Sequence, residues 1–227
     1  MDKGAEAVSP EARFVRELEH FRNDSNAAAQ FLYAWISFHA CAHENQNISR
    51  KVNEHALFWN TTLGALQTSL FIVLGRIFDR DTLNHTLERL LREASENPAI
   101  FSRKALAQRK SKQSPGANWI KGYVQGAYVP TRNDFARLQR YAAGKRAIYE
   151  RAYKKIRHKV FAHSGISSSA QSDALFAQTN IRELQRLVLS LIALYESLWQ
   201  LSYAQIWCMR RLEKRRQTLL KLEVLTH

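Results

Sequence analysis

Apolar residues recur at helical spacing along most of this chain, and few residues are present that would interrupt a helix. Only eight Gly and four Pro occur in 227 residues, so the chain lacks the turn residues that a many-stranded fold requires. Residues 54–79 carry an apolar face broad enough for a central core helix. No segment shows strand-like alternation of any length, and no repeat recurs at solenoid periods. The sequence therefore predicts one all-α domain over residues 1–227, a bundle of about five to six helices.

Apolar spacing and capping residues together predict where these helices lie. Asp24 and Ser25 are expected to cap the second helix, and Asp81 or Thr82 the fourth. The expected ranges are 11–22, 25–45, 54–79, a helix after the turn near 81, 132–163 and a last helix from about 179.

Three segments fall outside this regular pattern. Residues 98–131 mix basic residues with Ser, Gly and Pro, which predicts an irregular basic insertion or mobile arm. Residues 1–10 are expected to be a disordered tail. Residues 209–227 are expected to form a basic helical extension, which either is solvated or contacts nucleic acid or another protomer.

The charge of the chain indicates the class of its partner. Lys and Arg total 34 against 20 acidic residues, a formal net charge of +14. Such a charge repels itself in a compact fold and is most easily understood if a polyanion neutralises it. Nucleic acid is the first expectation, an anionic membrane surface the second, and solubility alone the remaining alternative.

Cysteine usage and hydropathy predict a cytoplasmic protein that does not span a membrane. Cys41 and Cys208 are too few for a disulfide framework, and the chain does not begin with a signal segment. The most apolar window, 70–78, contains Arg76 and is far shorter than the roughly 20 residues that cross a bilayer.

Several chemistries are disfavoured by what the sequence lacks. It contains neither of the Gly-rich phosphate motifs GxGxxG and GxxxxGK[ST], and it contains no GxSxG nucleophile elbow. His39 and His43 share a helix face, but two ligands do not make a metal site, and the polar margin of a helix explains them. We therefore predict no metal and no cofactor.

The stretch "RHKVFAH", residues 157–163, carries the chemistry that fits the charge best. Arg157 can bind a phosphate bidentately without losing its charge, and His163 titrates near neutrality and can move a proton. Together they suffice for RNA cleavage without metal, in which the ribose 2′-OH attacks the adjacent phosphorus. On a continuous helix the two side chains would lie about 120° apart and about 9 Å apart along the axis. Either a frayed last turn or a second subunit would then complete the site.

The same helix is the most basic part of the chain, and Tyr149 and Tyr153 are expected to offer stacking surfaces for unpaired bases. A competing interpretation needs no function, because cations at a helix C-terminus gain about 0.3 to 1 kcal/mol each from the macrodipole. The predicted RNA-binding residues are Arg151, Tyr153, Lys154, Lys155 and Lys159.

A second stretch, "RDTLNH", also fits the Arg and His pattern, with His85 five residues after Arg80. It lies in a predicted turn, where Arg80 and Asp81 look like capping residues for the next helix. The basic helix around Arg157 is therefore the preferred site.

An Arg, a polar residue and a His at the end of a long helix in an all-α domain resemble the signature of HEPN domains. The matching positions are Arg157, His158 and His163. In addition, "GRIFDRDTLNHTLERLL" (75–91) is similar to the AbiU-like group associated with abortive infection.

This resemblance implies a metal-independent ribonuclease that acts as a toxin or phage-defence effector. It implies Arg157 and His163 as the catalytic pair, His158 as an auxiliary residue and a homodimer with the site at its interface. An antitoxin is a further partner that it suggests. The alternative is a non-catalytic RNA-binding or protein-interaction module with the same fold.

Overall fold

The computed structural model of the chain describes residues 8–81, 84–157 and 180–203, and within these ranges the regular structure is helical. This confirms the all-α prediction. A 3-10 turn, Pro98–Phe101, separates α4 from α5. The α-helices are α1 (Pro10–Glu44), α2 (Gln46–Glu54), α3 (Ala56–Ile77), α4 (Leu87–Glu96), α5 (Arg103–Gln113), α6 (Trp119–Gln125), α7 (Arg132–Ala152), the single turn α8 (Lys154–Ile156) and α9 (Ile181–Tyr203).

Helices α1 and α3 form an antiparallel hairpin around which the core is built. Asp24 pairs with Arg76 at 2.6 Å near one end, and the rings of Phe38 and Trp59 lie 4.8 Å apart near the other. Helices α4 and α9 pack on α1, and α7 packs on both α4 and α9. The core is continuous, and side chains from all five of these helices are buried in it.

The expected break between residues 22 and 25 is wrong, because α1 is one continuous helix. It begins at Pro10 behind Ser9, whose side chain accepts from the backbone N–H of Ala12, so the predicted tail does not extend to residue 10. Ser25 is fully buried in the helix instead of capping it. The apolar spacing that buries Phe21 and Ala28 runs through the predicted break, so tertiary packing outweighs the capping signal.

The cap of α4 also differs from the prediction. Thr86 caps this helix, because its hydroxyl accepts from the backbone N–H of Arg89 at 3.2 Å. Asp81 lies in the preceding turn, where the Asp79 carboxylate accepts from the backbone N–H groups of Arg80 and Asp81. Thr82 lies outside the described residues.

Residues 98–131 are more regular than expected. They contain the 3-10 turn, α5 and α6, and Phe101 and Leu106 are fully buried. Ser102 supplies the local reason, because its side chain caps α5 by accepting from the N–H of Ala105. The first part of this segment therefore belongs to the core.

The helix predicted over 132–163 is interrupted. It begins as expected behind a capping box formed by Thr131 and Asp134, but α7 ends at Ala152, and Tyr153 separates it from α8. The Tyr153 ring is fully buried beside Phe71, and its hydroxyl donates to the carbonyl of Asn180. The angular argument about Arg157 and His163 concerns the chain after this break, so it stays a prediction. Residues 158–163, the predicted loop at 164–173 and the extension at 209–227 lie outside the described residues.

Helix α3 is long and apolar enough to cross a membrane, judged by length and composition alone. The sequence argument considered only residues 70–78, whereas the apolar helix extends over Ala56–Ile77. Leu70, Leu74 and Ile77 in its second half are buried in the core. Of the most apolar 18-residue window of α3, 22% is buried in the structure.

Candidate functional site

Arg157 lies directly after α8, and its side chain packs against the backbone of α3 at Gly75. A methyl group at Gly75 would overlap the Arg157 side chain, with Cβ only 2.6 Å from Cζ. Glycine alone has no Cβ and allows this approach. Gly75 was not predicted as a site residue. The available signal was an isolated Gly inside an apolar helical pattern, which often marks close packing.

The Arg157 guanidinium keeps an unused donor in a partly buried position. Its Nε is buried and has no hydrogen-bond partner among the described residues. An unmade hydrogen bond at a buried donor costs about 1 to 3 kcal/mol, so an acceptor supplied by a ligand would be stabilised there. The backbone is held in place, because the N–H of Arg157 donates to the carbonyl of Tyr153 at 3.1 Å.

Tyr149 on α7 contributes a neutral hydroxyl beside this guanidinium. Burial raises the pKa of the Tyr149 hydroxyl, and the positive charge of Arg157 and a side-chain hydrogen bond with Arg157 partly offset that increase. The ring stacks on Phe78 with centroids 5.1 Å apart. Arg157 is therefore placed by three elements: its own turn, the backbone of α3 and the aromatic packing of α7.

The predicted RNA-binding residues differ in what they present to solvent. Lys154 and Lys155 are exposed. Arg151 is also exposed, and it pairs with Glu183 on α9 at 2.6 Å. Tyr149 and Tyr153 are buried, so the expectation that they offer stacking surfaces is wrong. Tyr149 and Tyr153 are four residues apart, and they continue the buried face that Leu138 and Ala142 form on α7.

The rest of the predicted site, His158, His163 and Lys159, lies outside the described residues. Of the three predicted catalytic residues, the structure therefore describes Arg157 and its surroundings.

The second stretch, Arg80 to His85, is engaged in contacts between helices. Arg80 donates to the Glu150 carboxylate of α7 through Nη2 at 2.8 Å and Nε at 3.1 Å. His85 Nδ1 lies 2.8 Å from Glu17 Oε2 on α1. These contacts attach the turn between α3 and α4 to two other helices, so a structural role accounts for this stretch.

Glu17 is the centre of a charged cluster that the sequence did not reveal. Its side chain is 1% exposed, and Arg89 Nε lies 3.0 Å from Oε1. The rings of His20 and His85 stack with centroids 3.7 Å apart, beside the same carboxylate. The one available signal is that this acidic residue falls on the apolar face of α1, next to Leu18.

This cluster predicts a large loss of stability when its cation is removed. Arg89→Ala is expected to lower the free energy of unfolding by about 3 to 5 kcal/mol, because it leaves a buried carboxylate with a weaker partner. The matched control is Arg80→Ala, which breaks an exposed pair and should cost less than about 1 kcal/mol. Urea unfolding followed by circular dichroism measures both. Equal losses in the two variants would contradict the structural importance of Glu17.

His39 and His43, the pair considered for metal binding, lie near the end of α1. His39 contacts aromatic rings, with its centroid 4.1 Å from that of Trp35. Within residues 8–81, 84–157 and 180–203, no three His, Cys, Asp or Glu side chains converge on a metal position.

The chain matches the model of the HEPN family AbiU2 over residues 11–216. It belongs to the AbiU2 family of HEPN domains. No curated protein and no solved structure shows significant similarity to it. The match confirms the resemblance drawn from the stretches at 75–91 and 157–163, and it links this HEPN domain to abortive infection at the level of the family.

The two stretches that carried this resemblance meet in the structure. Gly75 is the first residue of one and Arg157 is the first residue of the other, and they are in direct contact. In this AbiU2 protein, Gly75 in the stretch at 75–91 therefore supplies the surface on which Arg157, the predicted Arg of the HEPN motif, lies.

Proposed function

We propose that this AbiU2 protein is a metal-independent endoribonuclease that acts as a toxin or phage-defence effector. The observation that supports this most is the position of the Arg157 guanidinium, which lies against Gly75 and beside the Tyr149 hydroxyl, with a buried Nε that makes no hydrogen bond to the described residues. A scissile phosphate supplies an acceptor, and a guanidinium binds phosphate in a planar, bidentate manner.

In the proposed reaction His163 takes the proton of the ribose 2′-OH, either directly or as one member of an acid-base pair. The 2′ oxygen then attacks the adjacent phosphorus, and the bond from phosphorus to the 5′ oxygen of the next nucleotide breaks. That oxygen leaves with a proton from the general acid, and a 2′,3′-cyclic phosphate remains. Arg157 stabilises the negative charge that develops on the phosphoryl oxygens.

The remaining predicted residues serve RNA binding or assist the pair. His158 orients or assists the catalytic residues, and Lys154, Lys155 and Lys159 contact flanking phosphates. Arg151 joins them only when it releases Glu183, because the two side chains form an exposed pair at 2.6 Å. Exposed pairs of this kind contribute about 0 to 1 kcal/mol, so a phosphate can compete for the Arg.

Cleavage of RNA in the presence of EDTA tests this function directly. The wild-type protein is expected to cut single-stranded RNA and to leave 2′,3′-cyclic phosphate ends, identified by mass spectrometry. RNA with 2′-O-methyl groups should resist, because the nucleophile is blocked. Products with 3′-hydroxyl ends, or activity that requires a divalent metal, would contradict the mechanism. Binding without cleavage would favour the non-catalytic RNA-binding module.

A homodimer is part of the proposal, and an apolar surface that the described residues leave uncovered supports it. The distal part of the α1–α3 hairpin, residues 33–69, has no buried residue, although Leu57 and Phe58 are 84% and 62% exposed. Exposed apolar patches of this extent mark interaction sites. No charged residue occurs from Ala56 to Gly75, so two highly basic copies can approach there with little repulsion.

Light scattering during gel filtration tests the dimer. We expect a mass twice the 26.2 kDa of the chain, and we expect Phe58→Lys to yield the monomer by placing a charge in the interface. Val129→Lys is the control, because Val129 is 42% exposed and lies outside the hairpin. A wild-type protein that is monomeric at every concentration would contradict the dimer.

An antitoxin that blocks the site is a further proposed partner. Co-expression of the two proteins would reveal it as a stable complex.

A further inference from the structure

The segment from α5 to α6, residues 103–125, forms a hairpin with an unusual distribution of charge, and we call it the basic arm. No Asp or Glu occurs between Glu96 and Asp134, whereas seven Lys or Arg residues do. Lys104, Lys112 and Lys121 on the arm are exposed. Six of these seven basic residues lie within the arm, in a chain whose net charge is +14. A local surplus of one sign raises the concentration of oppositely charged ligands near that surface.

Aromatic side chains lie among these charges. Trp119, at the start of α6, is 50% exposed. Its ring meets that of Tyr123 edge to face, with centroids 5.7 Å apart. The Lys110 ammonium lies 5.4 Å from the centroid of the Tyr123 ring. Trp119 is therefore held by a neighbouring ring while a large part of it faces solvent.

The arm is anchored to the core by a different cation. Arg109 Nη1 donates to Glu11 at 2.9 Å and to the carbonyl of Ile100 at 3.0 Å, and its side chain is only 13% exposed. Arg109 therefore has a structural role, which the exposed Lys residues of the arm do not share. This separation leaves the outer surface available for a ligand.

We propose that the basic arm is a binding surface for single-stranded RNA. Lys104, Lys112 and Lys121 contact phosphates, and Trp119 stacks on a base. A basic surface with an exposed aromatic ring is the combination by which proteins hold unpaired strands without reading their sequence. This deepens the proposed ribonuclease, on which it rests, by naming a second surface that holds its RNA.

The position of the arm separates it from Arg157. Arg103 Nη2 donates to the carbonyl of Ala127, and α7 begins shortly afterwards at Arg132 and runs towards Arg157. The 21 residues of α7 span about 30 Å at 1.5 Å per residue. The arm therefore holds a strand at a distance from the scissile phosphate and leaves the chemistry to the other end of α7.

Fluorescence anisotropy with labelled oligouridylate tests the arm, in an Arg157→Ala background so that cleavage does not enter the result. Replacing Lys104, Lys112 and Lys121 by Gln should weaken binding. The slope of log affinity against log salt should fall by about 2, since each single-strand phosphate contact contributes about 0.7. The control replaces the exposed Arg22, Arg50 and Arg140 by Gln, and it removes the same charge from other surfaces.

Trp119→Ala should weaken binding roughly 5- to 150-fold, the loss that corresponds to one stacked base, and Trp119→Tyr should restore most of it. Circular dichroism checks that each variant is folded. Equal affinity of the arm and control triple variants, or a Trp119→Ala protein that binds as tightly as its parent, would overturn the proposal. So would an arm variant that keeps RNA binding but no longer binds phosphatidylserine vesicles. Because the experiment measures binding, it can confirm the role of the arm even if the protein cleaves no RNA.

Discussion

Replacing His163 by Ala is expected to lower the rate of RNA cleavage by about 100- to 10,000-fold, because general acid-base catalysis by one side chain contributes that much. Arg157→Ala is expected to lower it by about 100- to 1,000-fold, the loss typical when one preorganised donor to a developing negative charge is removed. Arg157→Lys should recover little, since an ammonium cannot reproduce the planar, bidentate guanidinium. Single-turnover cleavage with protein in excess separates these effects from RNA binding.

The second Arg and His stretch provides matched controls for this experiment. Arg80→Ala and His85→Ala remove the same residue types at nearly the same spacing, but in the structure these side chains pair with Glu150 and Glu17. Both variants should cleave at nearly the wild-type rate once their folded fraction is taken into account. Loss of cleavage in these two, with activity retained in His163→Ala, would move the catalytic site to the turn between α3 and α4.

Gly75→Ala is expected to reduce cleavage nearly as much as Arg157→Ala, although it adds one methyl group at a residue that carries no chemistry. The added Cβ would overlap Nε, Cδ and Cζ of Arg157, so the guanidinium must leave its position against α3. The side chain is flexible and can move, and Ala is a better helix former than Gly. We therefore expect the free energy of unfolding to change little while kcat falls.

Another helical glycine makes this prediction specific. A methyl group added at Gly144 on α7 would meet no atom within 4 Å, so Gly144→Ala should cleave like the wild type. In a Gly75→Ala, Arg157→Ala double variant the losses should not add, because both act through one guanidinium. Additive losses, or a Gly75→Ala protein with full activity, would show that the position of Arg157 on α3 does not matter.

The helical class of the fold and most of its core could be predicted from local pattern. Apolar spacing identified α3, α7 and α9, and in α7 and α9 the buried face repeats with the helical period. Capping residues were less informative. Asp24 and Ser25 have the chemistry of a helix start, yet α1 runs through them, since packing against α3 and a pair with Arg76 outweigh a local preference worth about 1 kcal/mol.

The candidate site was predictable in part, and the reason lies in the range of its interactions. Residue type and spacing predict Arg157 and His163 as the catalytic pair, and the family match over residues 11–216 shows the family without testing these two residues. The sequence prediction misplaced Tyr153, whose ring is buried beside Phe71. Tyr149 and Tyr153 continue the helical spacing of the buried face of α7, so the apolar pattern placed them on the core side, whereas their residue type suggested stacking surfaces.

The sequence by itself determined the all-α class, the strong positive charge, the membership of the AbiU2 family and the residue types available for RNA cleavage. Only the tertiary structure decided that Arg157 lies on Gly75, that Glu17 is enclosed by Arg89 and His85, and that Trp119 stands exposed on a basic arm. Composition and periodicity are properties of neighbours along the chain. Contacts between Arg157 and α3, or between α1 and α4, join residues far apart in sequence, and no local pattern encodes which of them will meet.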